Sequence, residues 1–104
     1  FTQSGSTALR IARERPRKPI VALSPSRKTV RQLSLVWGLV CVHEAPVKRF
    51  KGAVQAALKN TTALGFSSPA EKIAITAGVP LNTEGQTNIL RIANADGSDF
   101  NLGD

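Results

Sequence analysis

Apolar and polar positions alternate in blocks along this chain, and the period changes from block to block. Phe1 and Thr2 read as the end of a strand, which runs into a hydroxyl-rich turn. A helix then starts at Ser4 or Gly5. Ala8, Leu9, Ile11 and Ala12 recur at helical spacing, with Arg10, Arg13, Glu14 and Arg15 outside. Pro16 and Pro19 stop it, since proline lacks the N–H and crowds the preceding turn. Ile20-Val21-Ala22-Leu23 is a short continuous apolar run, the pattern of a strand covered on both faces. Ser24-Pro25 turns the chain. Ser26 or Arg27 to Val36 reads helical, with Val30, Leu33 and Val36 or Trp37 in one stripe, and Gly38 ends it. Leu39-Val40-Cys41-Val42 reads as a second buried strand.

After Pro46 comes a longer helical stretch, about Val47 to Leu64. Phe50, Val54, Ala57, Leu58 and Thr61 repeat there near the 3.6 period, and Gly65 caps the end. Residues Lys72–Ala77 form a strand that Gly78 terminates. A loop with Pro80, Asn82 and Gly85 covers Val79–Thr87, and Asn88–Ala93 is a last strand. The tail Asn94–Asp104 is polar and rich in Gly and Asp, so it is expected to be disordered. Short apolar strands alternating with amphipathic helices predict a three-layer α/β/α sandwich with a mostly parallel sheet.

Composition narrows this only a little. A chain of 104 residues holds one domain at most, and a hydrophobic share of 41% is enough for a core. No apolar run is long enough to span a membrane. The start is not a secretory signal: four arginines fall within residues 10–17 with no apolar stretch after them. Phe1 in place of Met reads as a cut point in something longer. One cysteine, Cys41, gives no disulfide framework and fits a reducing compartment.

Charge is more informative, because the net +7 is uneven. Residues 1–52 carry eleven Lys/Arg against Glu14 and Glu44, a balance of +9, and residues 53–104 carry three against five acids, a balance of −2. Such an excess points to an anionic ligand or partner. Thr2, Gln3, Ser4, Gly5, Ser6 and Thr7 supply a place for one. Hydroxyls, a glycine and the unpaired N–H groups of a helix start converge there, and the helix dipole favours negative charge. The plain alternative is a Ser/Thr turn that caps the helix and binds nothing.

Catalytic chemistry has little support. Neither Ser4 nor Ser6 lies in a Gly-x-Ser-x-Gly setting, and His43 is the only histidine. One His and one Cys are too few for a zinc site, so Cys41 reads as a buried thiol and His43 as solvated. Trp37 is expected to pack in the core, with an interface role as the alternative. Arg10, Arg13, Arg15, Arg17 and Lys18 read as a solvated face, or else as an inter-subunit surface.

The blocks Thr2–Ala8, Ile11–Pro16, Pro19–Ala22, Thr29–Gly38, Ile75–Pro80 and Gly85–Ile92 occur in an order and at a spacing that resemble the C-terminal domain of pyruvate kinase, in its bacterial flavour. Their hallmarks are Thr-x-Ser-Gly-x-Thr-Ala, Thr-Val-Arg-Gln-Leu-x-Leu-x-Trp-Gly and Gly-x-Thr-Asn-x-Leu-Arg-Ile. The resemblance covers residues 1–93 and leaves 94–104 as the tail. It implies an antiparallel last strand, and it implies that N-terminal helices and a central strand precede Phe1 in the family. The parent enzyme transfers a phosphoryl group from phosphoenolpyruvate to ADP with magnesium and often potassium. That chemistry belongs to a separate domain, so no catalytic or metal-binding residue and no cofactor are expected in this chain. The implied roles here are assembly of a cytoplasmic homotetramer with the rest of the enzyme chain, and allosteric binding of a phosphorylated sugar.

The family's phosphate loop corresponds to Thr2–Thr7. Its effector-side loop corresponds to about Leu81–Thr87, with Asn82, Thr83, Glu84, Gly85, Gln86 and Thr87 as candidate contacts. Members that bind a sugar bisphosphate hold its second phosphate with a Trp and an Arg near the start of the long helix. Here that region reads Ala45-Pro46-Val47-Lys48-Arg49-Phe50-Lys51, and neither residue aligns. A monophosphate such as glucose 6-phosphate or ribose 5-phosphate is therefore expected, with a nucleotide left open. Two other readings compete. One is a free-standing sugar-phosphate-binding module of the same fold. The other is a basic nucleic-acid-binding domain, against which no aromatic residue is interleaved with the basic ones.

Overall fold

A computed structural model describes residues 1–78 and 88–98. Seven elements run α1 (Ser6–Arg13), β1 (Ile20–Ser24), α2 (Arg27–Leu33), β2 (Leu39–His43), α3 (Phe50–Ala63), β3 (Lys72–Ala77) and β4 (Ile89–Asn94). The order is the one the apolar pattern predicts. The boundary shifts have local causes. α2 stops at Leu33 rather than Val36, because the Ser34 hydroxyl donates to the Arg31 carbonyl at 2.6 Å and the chain tightens into a three-residue turn, Val36 N–H to Leu33 O at 2.9 Å. α3 starts at Phe50 rather than Val47, with Arg49 extended as its N-cap. Gly38 and Gly65 both lie at positive φ, where glycine ends a helical segment without a Cβ penalty.

β1 and β2 pair in parallel from Ile20 opposite Leu39 to Ser24 opposite His43. β3 and β4 pair antiparallel from Lys72 opposite Asn94 to Ala77 opposite Ile89. The α/β class and the antiparallel last strand are as expected. Among the described residues the strands form two two-stranded sheets, and β1 and β3 do not pair, which matches a family sheet whose central strand precedes Phe1. Each of these strands has a partner on one side only. Their other edges face a groove of about 560 Å³, into which α1 contributes Ala8 and Ile11 and α3 contributes Ala57 and Thr61. Phe1 and Thr2 bridge one end of this groove. The Phe1 nitrogen donates to Thr76 O of β3 at 3.1 Å, and Thr2 N–H donates to Leu23 O of β1 at 3.0 Å.

Strand alternation separates the core into two clusters, one per face. Ala22 meets Ala8 of α1 and Leu33 of α2, while its neighbour Leu23 meets Val54, Ala56 and Ala57 of α3 together with Ile75 and Ala93. Helices therefore cover opposite faces of the strand layer, which makes three layers. Among the described residues β2 has no partner beyond β1; Leu39 and Cys41 pack on one core cluster and Val42 on the other, so both faces are covered as expected, and its edge position leaves it half-buried. Trp37 is also outside the core. It is 67% exposed in the α2–β2 turn, where the Arg15 guanidinium sits 5.1 Å from its ring centroid.

Candidate functional site

The turn from Thr2 to Thr7 is built from the groove outward. Thr2 is buried, held by the backbone bond to Leu23, and its Oγ1 accepts the Gly5 N–H at 2.8 Å. That bond closes a tight turn over Gln3 and Ser4. Gly5 then takes φ 97°, a left-handed conformation open to glycine, and serves as the N-cap of α1. The N-cap itself makes no side-chain bond, but Ser4 Oγ accepts the N–H of Ser6, the first residue of α1, at 3.5 Å, as a Ser/Thr turn at a helix start does. The Ser4 and Ser6 Oγ atoms stand 3.0 Å apart on the exposed side of the turn.

Gly5 is also fixed from below. A Cβ there would come within 3.1 Å of Leu33 Cδ2, so the backbone rests directly on α2. The Thr29 hydroxyl, one turn earlier on the same face of α2, donates to Gln3 O at 2.7 Å. Thr29 and Leu33 are the buried residues of α2. Of the apolar stripe expected on Val30, Leu33 and Val36 or Trp37, Leu33 and Val36 pack in the core, while Thr29 is buried in place of Val30 because its hydroxyl has an acceptor. α2 in turn starts from Ser26, whose side chain accepts Thr29 N–H at 3.2 Å.

Electrostatics at this helix start suit an anion. The first turn of α1 carries no acidic side chain, and the macrodipole places positive potential there. The basic residues Arg10 and Arg13 sit in the last turn instead.

The second candidate segment, Asn82–Thr87, lies outside the described residues. Its anchors are in view. Asn88 N–H donates to Ala77 O at 3.2 Å, one residue past the Thr76 that holds Phe1. The connection between β3 and β4 therefore leaves and returns at the end of the sheet where the Thr2–Thr7 turn sits. Sequence reasoning missed the role of Thr29. Its signal is a hydroxyl on the buried face of a helix, and periodicity scores that as a polar residue out of phase.

Among the described residues the remaining polar groups form no catalytic constellation. His43 is exposed, with Nε2 3.1 Å from Pro25 O. Cys41 is half-buried, and burial raises its pKa. Among the described residues no three His, Cys, Asp or Glu side chains converge on a metal position, and no helix is long and apolar enough to cross a membrane.

The arrangement defines a three-layer α/β domain that presents a hydroxyl-rich, glycine-hinged turn at a helix start, with no catalytic cluster among the described residues. A family model described as pyruvate kinase, alpha/beta domain, matches residues 1–93, and the chain belongs to that family. Among curated relatives it is 41% identical over 95 residues to a pyruvate kinase of Agrobacterium vitis, covering 91% of this chain and 20% of the relative. It is 37% identical over 93 residues to a pyruvate kinase of Methylorubrum extorquens, covering 89% of this chain and 20% of the relative. To a pyruvate kinase of Staphylococcus aureus it is 42% identical over 95 residues, covering 88% of this chain and 16% of the relative. The chain thus spans a fifth or less of the length of these relatives.

Proposed function

We propose that this chain is the regulatory and assembly domain of a cytoplasmic, tetrameric pyruvate kinase, and that Thr2–Thr7 binds the phosphate of a sugar monophosphate. The observation that carries the reading is the turn itself: Gly5 at φ 97° opens the start of α1, with two adjacent serine hydroxyls beside it and no acid in the first turn. A helix start with hydroxyls beside it suits an anion, because the helix dipole and its first N–H groups favour negative charge. Asn82–Thr87 is assigned as the effector-side segment, a reading supported by its neighbours Ala77 and Asn88, which are bonded at the same end of the sheet. Phosphoryl transfer from phosphoenolpyruvate to ADP takes place elsewhere in the parent enzyme.

The groove between β1 and β3 supports the rest of the enzyme chain as a partner. A strand leading into Phe1 continues the two bonds already made to Leu23 and Thr76, and it joins the two sheets into one. Coupling then has a simple form. Effector bound at Thr2–Thr7 orders the neighbouring connection and favours the tetramer state of higher substrate affinity. Ser4→Asp in the intact enzyme tests the site, because it places a carboxylate where the phosphate sits. Activity without effector is expected to persist, and the response to glucose 6-phosphate to disappear. A variant that keeps the full response sinks the assignment.

A further inference from the structure

The Gln3–Ser4 peptide is held from the α2 side, by the Thr29 hydroxyl 2.7 Å from Gln3 O. In a trans peptide the C=O and the following N–H point in opposite directions. A carbonyl fixed toward α2 therefore sends the Ser4 N–H the other way, to the exposed side where the Ser4 and Ser6 hydroxyls stand 3.0 Å apart. If the peptide flips, the carbonyl oxygen faces that side instead, and its negative end opposes an anion. The hydrogen bond from Thr29 thus selects which end of the peptide dipole meets the ligand.

Two features make Thr29 suited to this. The residue is buried at 6% exposure, so the donor is held on the inner side of a part-buried bond. Its own backbone N–H is tied to Ser26 Oγ at 3.2 Å, which fixes the donor on the first turn of α2. Leu33, one turn further along the same face, blocks movement of Gly5 toward the helix.

We propose that Thr29 is a positioning residue of the phosphate site: it orients the Gln3–Ser4 peptide so that the Ser4 N–H donates to a bound phosphomonoester. The inference rests on the phosphate reading of Thr2–Thr7. It adds a buried residue from another element, 26 positions along the chain, that touches no ligand.

The experiment is equilibrium binding of radiolabelled glucose 6-phosphate to the intact enzyme, with Thr29→Val and Thr29→Ser compared to the parent. Valine keeps the shape and removes the donor, so affinity falls about tenfold or more, the loss of one charge-assisted hydrogen bond. Serine restores the donor and binds within about twofold of the parent, a change well below the tenfold that 1.4 kcal/mol represents. Equal affinity of the valine variant and the parent overturns the proposal. So does a serine variant as weak as valine, since the hydroxyl is then not the agent. If valine does not fold, Thr29→Ala replaces it in the same comparison. A parent enzyme that binds no glucose 6-phosphate overturns the phosphate reading, and the role of Thr29 with it.

Discussion

Replacing Gly5 by alanine separates two effects that the turn combines. The first is conformational. Gly5 sits at φ 97°, and an L-residue in left-handed space costs about 1–2 kcal/mol. The second is steric. The new Cβ would meet Leu33 Cδ2 at 3.1 Å and Cγ at 3.5 Å, and forcing such a contact into a packed site costs about 1–3 kcal/mol. Leu33 cannot swing clear without disturbing Ala8 and Ala22, its partners in the core. The sum is about 2–5 kcal/mol by these two costs. Gly65 is the control. It lies at φ 76° with nothing within 4 Å of an added Cβ, so Gly65→Ala carries the conformational cost alone, about 1–2 kcal/mol. Native-state hydrogen exchange on the intact enzyme, read at the β1 and α2 amides, measures both variants in one background. The prediction is that Gly5→Ala lowers protection by at least about 1 kcal/mol more than Gly65→Ala, the low end of the steric cost. Equal losses refute the claim that the loop backbone rests on Leu33.

Two further predictions concern the frame around the site. Val54 is fully buried under both sheets, and Val54→Ala is expected to destabilise the domain by about 2 kcal/mol in the same exchange measurement; a loss under about 0.5 kcal/mol, the level of an ordinary surface change, contradicts its place in the core. Glu71 has its pKa lowered mainly by the Ser68 N–H and hydroxyl, which donate to Oε1 at 2.9 and 3.0 Å. A depressed carboxylate contributes stability above its unfolded pKa and loses it as pH falls through the folded value, so this turn weakens only in acid. Carbon-13 titration of the Glu71 carboxyl should show its pKa move up in Ser68→Ala, and an unchanged midpoint refutes the assignment.

The order of elements was legible because each is bounded by a strong local signal. Pro16 and Pro19 end α1, Gly38 and Gly65 close the helical segments before β2 and β3, and continuous apolar runs mark β1 and β2. Lys72–Ala77 was legible to the residue, since alternation and a following glycine fix both ends. What was hidden depends on contacts far apart in sequence. The burial of Thr29 rests on a carbonyl 26 residues away, and no helical period reveals it. Trp37 reads as core by its chemistry, yet it lies past the early end of α2, in a turn where one face is solvent and Arg15 covers the ring. The half-buried state of β2 follows from its edge position, which a run of apolar residues does not encode. The Thr2–Thr7 turn was visible as a cluster of hydroxyls with a glycine. Its division of labour was not: Thr2 turns inward to hold Gly5, while Ser4 and Ser6 remain outside.

The most direct test of the account is where a phosphate binds. A crystal structure of the intact enzyme with glucose 6-phosphate is expected to place the phosphate oxygens within hydrogen-bonding reach of the Ser4 and Ser6 hydroxyls and the first N–H groups of α1. A phosphate bound away from Thr2–Thr7, in an enzyme whose activity responds to the sugar, contradicts it.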